Sequence, residues 1–357
     1  MEDIPITGLE ELESHLQKLI ASPETPLDAK LFDEVQLQLT DSNIPPLIPR
    51  LLPALTQILL TYEKDPTILA SLSIKLLQPI QFTQALTLAS EDALIQALRS
   101  PAPSANILAI SVLEKAARSP SDTAILSIMK GVVENFLRVW LSTPHVEVGE
   151  KATQALGNML EVDCDWRSSA AIDTKMSGMQ LASRTPPGQG LLWRRIFQDR
   201  DIYQLVFSLC SFQTVGVNEG QLDERQKSLA QARLLRILPR LSALDFHAIT
   251  QTHFPDVEIT YGLQEGQYGL LYFAAVDMVD KEGDMLMHIT LIDFFADLLN
   301  VISTTELTRP TMDYLASLIK KVATSDTTLY KSLESMALSP ESSPELVDLL
   351  VKLNQYP

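Results

Sequence analysis

An all-α fold, built as a stacked array of antiparallel helix pairs, is what this sequence predicts, and three observations predict it. Apolar residues recur at helical spacing along nearly the whole chain of 357 residues. Strand-like alternation lasts only through "VEIT" at 257–260. Similar fragments return at a near-constant distance: "SIKLL" with Lys75, "LEKAA" with Lys115 and "GEKATQALGNML" with Lys151, and "ILA" at 68–70 and again at 107–109. Helix pairs repeating at about 35–45 residues mark arrays in which each pair needs its neighbours to cover its apolar face. A right-handed superhelix of the HEAT or armadillo kind is the expected architecture.

The elements follow in order. Leu9, Leu12, Leu16, Leu19 and Ile20 make the first amphipathic stripe. Pro26 is placed to open a second helix, which turns Leu27, Leu31, Phe32 and Val35 inward. A third runs through Leu51, Leu55, Ile58 and Leu59, and Asp65-Pro66 starts a fourth. Further helices are expected near 82–88, 91–99, 105–117, 122–142, 145–161, 190–197, 200–211, 223–241, 244–251, 267–278, 284–302, 311–323, 327–337 and 343–354. Two connections exceed ordinary loop lengths, 162–189 and 212–222. The organisation expected is HEAT-like repeats over 1–161, a long loop or insertion over 162–189, and further repeats with a C-terminal cap over 190–357, forming one continuous solenoid.

Composition narrows the function. Met1 is followed by Glu2 and Asp3 where a signal peptide needs a basic region, and no run of about 18 uncharged apolar residues exists. Two cysteines, Cys164 and Cys210, are too few for a disulfide framework. A soluble intracellular protein, cytoplasmic and also nuclear, without a membrane partner, is expected. The net charge is −17, yet residues 184–240 hold nine basic residues against five acidic ones, which leaves −21 for the rest. A phosphate backbone would be repelled over most of such a surface, so no direct nucleic-acid binding is expected. A basic protein partner would be attracted.

Catalytic motifs are missing from the sequence. There is no phosphate-binding G-x-x-x-x-G-K-[ST], no G-x-G-x-x-G after a strand, no H-E-x-x-H, no C-x-x-C and no G-x-S-x-G. No enzyme, cofactor or metal is expected. His247 and His253 read as loop histidines, and "DKEGD" at 280–284 as a turn with glycine at a helix end rather than a calcium loop. Asp199 and Asp201 read as capping residues and Cys210 as a small core residue. In "GLLWRRIFQDRDIYQLVFSLC", Leu191, Leu192, Ile196 and Phe197 form one inward face and Ile202, Leu205, Val206 and Leu209 the next. That leaves Trp193, Arg194 and Arg195 on the polar side, where Trp and Arg are the types most enriched at binding hot spots.

"HVEVGEKATQALGNMLEVDC" (145–164) and "GQGLLWRRIFQDRDIYQLVFSLCS" (188–211) resemble the fungal family named DNA mismatch repair protein HSM-three, which is similar in turn to animal proteasome non-ATPase regulatory subunit 5. The resemblance is close over about 145–211 and one of architecture in the flanks. It implies a curved solenoid acting as an assembly chaperone of the proteasome regulatory particle, monomeric on its own. Such a protein would hold the C-terminal domain of one AAA-type ATPase subunit of the base. Candidate partner contacts are Trp193, Arg194 and Arg195, with Glu147, Glu150 and Asn158 in the first quoted stretch. The alternatives are a helical-repeat adaptor in transport or trafficking and an accessory factor of DNA mismatch repair.

Overall fold

The computed structural model describes residues 6–164, 187–213, 222–305, 307–340 and 342–355, and these are all-helical with no strand among them. The chain divides into two compact units, Met1–Val139 and Trp140–Pro357.

In the first unit, α1 (Leu9–Ala21) follows Gly8, whose φ of 80° no other residue type adopts cheaply, and it buries Leu12, Leu16 and Leu19 on one face. α2 (Ala29–Gln38) begins later than Pro26 suggests. Asp28 caps it by accepting from Leu31 N–H at 3.2 Å, so the carboxylate rather than the proline sets the start. A 3₁₀ turn (Pro45–Leu47) leads into α3 (Ile48–Thr61). Then come α4 (Thr67–Leu77), α5 (Phe82–Leu88), α6 (Glu91–Arg99) and α7 (Pro103–Glu114), which tightens into 3₁₀ over Lys115–Arg118. The single helix expected over 122–142 is two, α8 (Pro120–Ile128) and α9 (Lys130–Ser142). The chain turns at Met129, where ψ is 66°. Both helices bury a face, so the apolar period runs on through the break and does not mark it.

The second unit holds α10 (Val146–Asp163), α11 (Leu191–Phe197), α12 (Arg200–Cys210), α13 (Glu224–Leu244), α14 (Phe246–Thr250) and α15 (Pro255–Thr260). Next comes α16 (Leu270–Tyr272), which widens into a π-helical turn over Phe273–Asp277. The unit ends with α17 (Met285–Ser303), α18 (Arg309–Ser325), α19 (Thr327–Leu338) and α20 (Pro344–Gln355). "VEIT" is part of α15, not a strand: Pro255 opens that helix, and Val257 and Glu258 turn inward. The stretch 280–284 is a turn closed by Asp280 accepting from Gly283 N–H at 2.9 Å. It stands between the π-helical turn that ends at Asp277 and a helix start that Asp284 caps, so Gly283 precedes α17 rather than closing the helix before it.

Polar contacts fix how the helices run. In the first unit Arg50 at the start of α3 meets Glu13 near the start of α1 at 2.7 Å, so these helices are parallel neighbours. Lys115 Nζ, just past α7, donates to the Leu77 carbonyl that ends α4 at 2.7 Å, and Arg118 donates to Ile80 and Gln78 at 3.0 and 2.9 Å. Two cations thus satisfy carbonyls that a helix end leaves unpaired. In the second unit Ser228 at the start of α13 donates to Asp284 at the start of α17 at 3.0 Å, again a parallel pair. Parallel neighbours two or more helices apart in sequence are the packing of an α-solenoid, and the fold is compatible with one. Lys75, Lys115 and Lys151 do not hold equivalent places: the first is near the end of α4, the second in a 3₁₀ turn, the third early in α10. Their spacing is not the mark of the repeat.

Lys115 is buried, and desolvation lowers its pKa from 10.5 to about 8. Between those values the unfolded chain binds the extra proton, so this group adds stability as pH rises through that window; below about pH 8 its full desolvation cost is present. Denaturant unfolding at pH 7.5 and 10 should therefore show the parent gaining on Lys115→Met at the higher pH. An unchanged difference would mean the amine is not desolvated.

Met285–Ser303 is long and apolar enough to cross a membrane. It carries Asp293 and Asp297, buries Leu291, Phe295, Leu298 and Leu299, and packs along α13, while Met285, Leu286 and Ile289 near its start are exposed. Most of the expected loop 162–189, including Trp166, and most of 212–222 lie outside the described residues.

Candidate partner-binding site

Helix α10 carries the first quoted stretch, and its neighbour across the packing interface is α13. The two run parallel, because Arg233, Arg236 and Arg240 of α13 meet successively later residues of α10. Arg236 pairs with Glu150, and Arg240 Nη2 bonds Asn158 Oδ1 at 3.0 Å and Glu161 Oε2 at 2.6 Å. Arg233 is buried and lies along Gly149; its Nη1 donates to the carbonyls of Trp140 and Leu141, the end of α9, at 3.0 and 3.2 Å. Desolvation lowers its pKa, and the nearby charge of Glu150 offsets part of that.

Two glycines make this possible. A Cβ on Gly149 would stand 2.3 Å from Arg233 Nε, and one on Gly157 2.3 Å from Arg240 Nη1. Eight residues apart, they lie on one face of α10, opposite two arginines seven apart on α13. The "GEKATQALGN" pattern is therefore a bed for two guanidinium groups. Between the helices opens a groove of about 590 Å³, and Glu147, Glu150, Lys151, Arg236 and Arg240 line it. Of the sequence candidates, Glu147 and Glu150 stand exposed at this groove and Asn158 is held beside it by Arg240.

Asp163, the last residue of α10, is fully buried. Its carboxylate accepts from Leu192 N–H at 2.7 Å, Trp193 N–H at 3.1 Å and Leu191 N–H at 3.3 Å, so it caps α11 from another helix. Burial pushes its pKa up, while those N–H bonds pull it down by less. Gly190, with φ 63°, gives its own N–H to the Asp163 carbonyl at 2.8 Å, and a Cβ on Gly188 would lie 2.3 Å from the Asp163 carbonyl carbon. The "DC" closing one quoted stretch and the "GQG" opening the other thus form one joint. Cys164 completes it with Sγ donating to the Leu244 carbonyl at 3.3 Å. Asp163→Ala should cost about 2 kcal/mol or more, because it strands buried N–H donors, whereas Asp163→Asn keeps an acceptor and should cost less. Equal losses in chemical denaturation would show that the carboxylate's hydrogen bonds are not what joins the helices.

Trp193 is not on the polar side. It is 5% exposed, its ring stacks on Phe197 at 5.3 Å, and Nε1 donates to the Leu160 carbonyl at 2.9 Å. The face of α11 is wider than the aliphatic residues suggested, because the Cβ of Trp193 follows Leu192 around the helix toward α10. Arg194 is exposed and folds back on the carbonyls of Gln189 and Gly190 at 2.8 and 3.2 Å. Arg195 pairs with Asp199 at 2.7 Å, and Asp199 also caps α12. Arg200 pairs with Asp256. The six arginines from Arg194 to Arg240 with stated partners thus direct their charge inside the molecule. What sequence reasoning missed is that role; the 233/236/240 spacing on one face of a helix was the available signal.

His247 lies on α14 and His253 beside the Phe254 ring; among the described residues no group of three or more His, Cys, Asp or Glu side chains could hold a metal ion. Cys210 is fully buried in an apolar setting, which pushes its thiol pKa far up.

Fold and site together define an all-helical protein of parallel-stacked helices whose charged side chains join one helix to the next. Residues 7–158 match the family model described as DNA mismatch repair protein HSM3, N terminal domain. Over those residues, somewhat less than half of the chain, it is similar to the HSM3 family. The match lies mainly ahead of the 145–211 region that carries the resemblance by motif, and it shares 145–158 with it. No curated protein matches the chain.

Proposed function

We propose that the protein is a non-catalytic assembly chaperone of the proteasome regulatory particle, holding the C-terminal domain of one AAA-type ATPase subunit while the base is built. The family domain over residues 7–158 carries the reading. The charge pattern supports it: the arginines are paired internally, so the uncompensated surface charge is acidic and suits a basic protein surface rather than a phosphate backbone. Glu147 and Glu150 at the α10/α13 groove are its candidate contacts, and Arg194, exposed on α11, is a further one. On this reading the helices form a HEAT/armadillo-type right-handed superhelix, and the protein works as a monomer in cytoplasm and nucleus.

Isothermal titration of the full chain with the isolated C-terminal domains of the base ATPases, without nucleotide, tests it. One domain should bind, with an on-rate that falls as salt rises. Binding to none of them removes the chaperone reading. Retention on mismatched DNA at physiological salt would favour the repair role that the family's name records.

A further inference from the structure

In the second unit a strap, residues 262–269, joins α15 to α16, and Glu258 of α15 holds both its ends. The Glu258 main-chain carbonyl accepts from Leu263 N–H at 3.1 Å, and its carboxylate Oε2 accepts from Gly269 N–H at 2.9 Å. The other carboxylate oxygen takes the hydroxyl of Tyr203, from α12, at 2.5 Å. The chain on either side of the strap is fixed. Tyr261 just ahead of it and Phe273 just past α16 both pack on Phe207, with ring centres 5.9 and 4.5 Å away.

The strap itself is held by little else. Gln264, Glu265 and Gly266 are exposed, and Leu263 is the one aliphatic side chain among its residues, buried close to its start. Gly262, Gly266 and Gly269 have φ of 100°, 84° and 104°, so the strap turns on residues that reach this region without strain. Glu258 is fully buried and has no ion pair among the described residues. A carboxylate has about four acceptor sites, and the Tyr203 and Gly269 donors leave the others empty. Burying a charged group in this way costs free energy that water returns when the group is exposed. Burial, and after it the charge of Glu258, push the Tyr203 pKa up, so its hydroxyl stays a donor.

We infer that residues 262–269 open as a local unit while the helices around them stay folded, with Glu258 as the latch. Opening hydrates the carboxylate and exposes Leu263; closing restores both Glu258 bonds to the strap. Segments with few buried apolar contacts and exposed main chain are where such partial opening takes place. The inference does not depend on the ATPase reading.

Hydrogen exchange of the full chain, followed by mass spectrometry at denaturant concentrations below the unfolding midpoint, tests it. Exchange in 262–269 should be indifferent to denaturant, whereas exchange in α13 and α17 should quicken with it. Glu258→Ala should raise exchange in the strap by about tenfold or more and leave α13 and α17 protected. Gly269→Ala should do the same with the latch intact, because its Cβ would meet the Thr250 carbonyl oxygen at 2.5 Å. Tyr203→Phe touches no strap residue, yet it leaves the carboxylate one donor short and should also quicken exchange there. Glu258→Gln, which keeps the shape and an acceptor, should restore part of the protection lost in Glu258→Ala. Strap exchange that rises with denaturant in step with α13 overturns the inference. So does a Glu258→Ala variant that loosens α13 and α17 as much as the strap, which would make Glu258 a core residue and no latch. Should that variant fail to fold, the denaturant dependence of the parent decides.

Discussion

Trp193→Ala should lower stability by about 3–5 kcal/mol, the range for removing a buried large aromatic side chain. Three things are lost together: the buried indole surface, the stack on Phe197 and the Nε1 bond to the Leu160 carbonyl. The carbonyl loses its indole donor as well, which adds to the cavity cost. Arg194→Ala is the internal control. Its guanidinium reaches only carbonyls of the preceding turn from an exposed position, and a surface change of this kind stays within about 0.5 kcal/mol. The adjacent pair separates a packing residue from a surface one in a single thermal-melt experiment. Equal and small losses would place the indole outside the core. Trp193→Phe should recover part of the loss, since the ring can still stack but no longer donates.

How far the sequence is legible shows at this same residue. The inward set of α12, Ile202, Leu205, Val206 and Leu209, was readable because aliphatic side chains at helical spacing have one place to go. Trp193 was not, because an indole serves equally as a core residue and as a surface anchor, and only the neighbour's carbonyl decides between them. Helix positions were readable nearly throughout, and helix ends less so: Met129 breaks an unbroken apolar period, and Asp28 rather than Pro26 opens α2. The polar joints were invisible for a different reason. Asp163 caps a helix that begins 28 residues later, and Arg233 meets Gly149 across 84, so neither leaves a local pattern. The glycine spacing on α10 and the arginine spacing on α13 each stand in the sequence, but nothing local says that the two meet.

Those glycines give the second large effect, and a contrast between two chemically identical changes. In a helix interior, Gly→Ala is worth about 1 kcal/mol in favour of folding, through lower backbone entropy. At Gly157 that gain should survive. The added Cβ would meet Arg240 Nη1 at 2.3 Å, but Arg240 is 39% exposed and can swing outward, losing only surface contacts to Asn158 and Glu161. At Gly149 the same methyl meets Arg233 Nε, Cζ and Nη2 at 2.3, 2.5 and 2.6 Å, and this guanidinium is buried. It has no outward path, and displacing it breaks charge-assisted bonds to Trp140 and Leu141 at about 1.5–3 kcal/mol each. Gly149→Ala should therefore destabilise by about 3 kcal/mol net of the propensity gain, while Gly157→Ala should be neutral or stabilising. Denaturant midpoints at constant m-value measure both. The double variant Gly149→Ala/Arg233→Met closes the cycle: if the clash with Arg233 is the cause, the glycine change should cost little once the guanidinium is gone. A Gly149→Ala cost that persists in the Arg233→Met background would instead point to the α10 backbone meeting α13 directly.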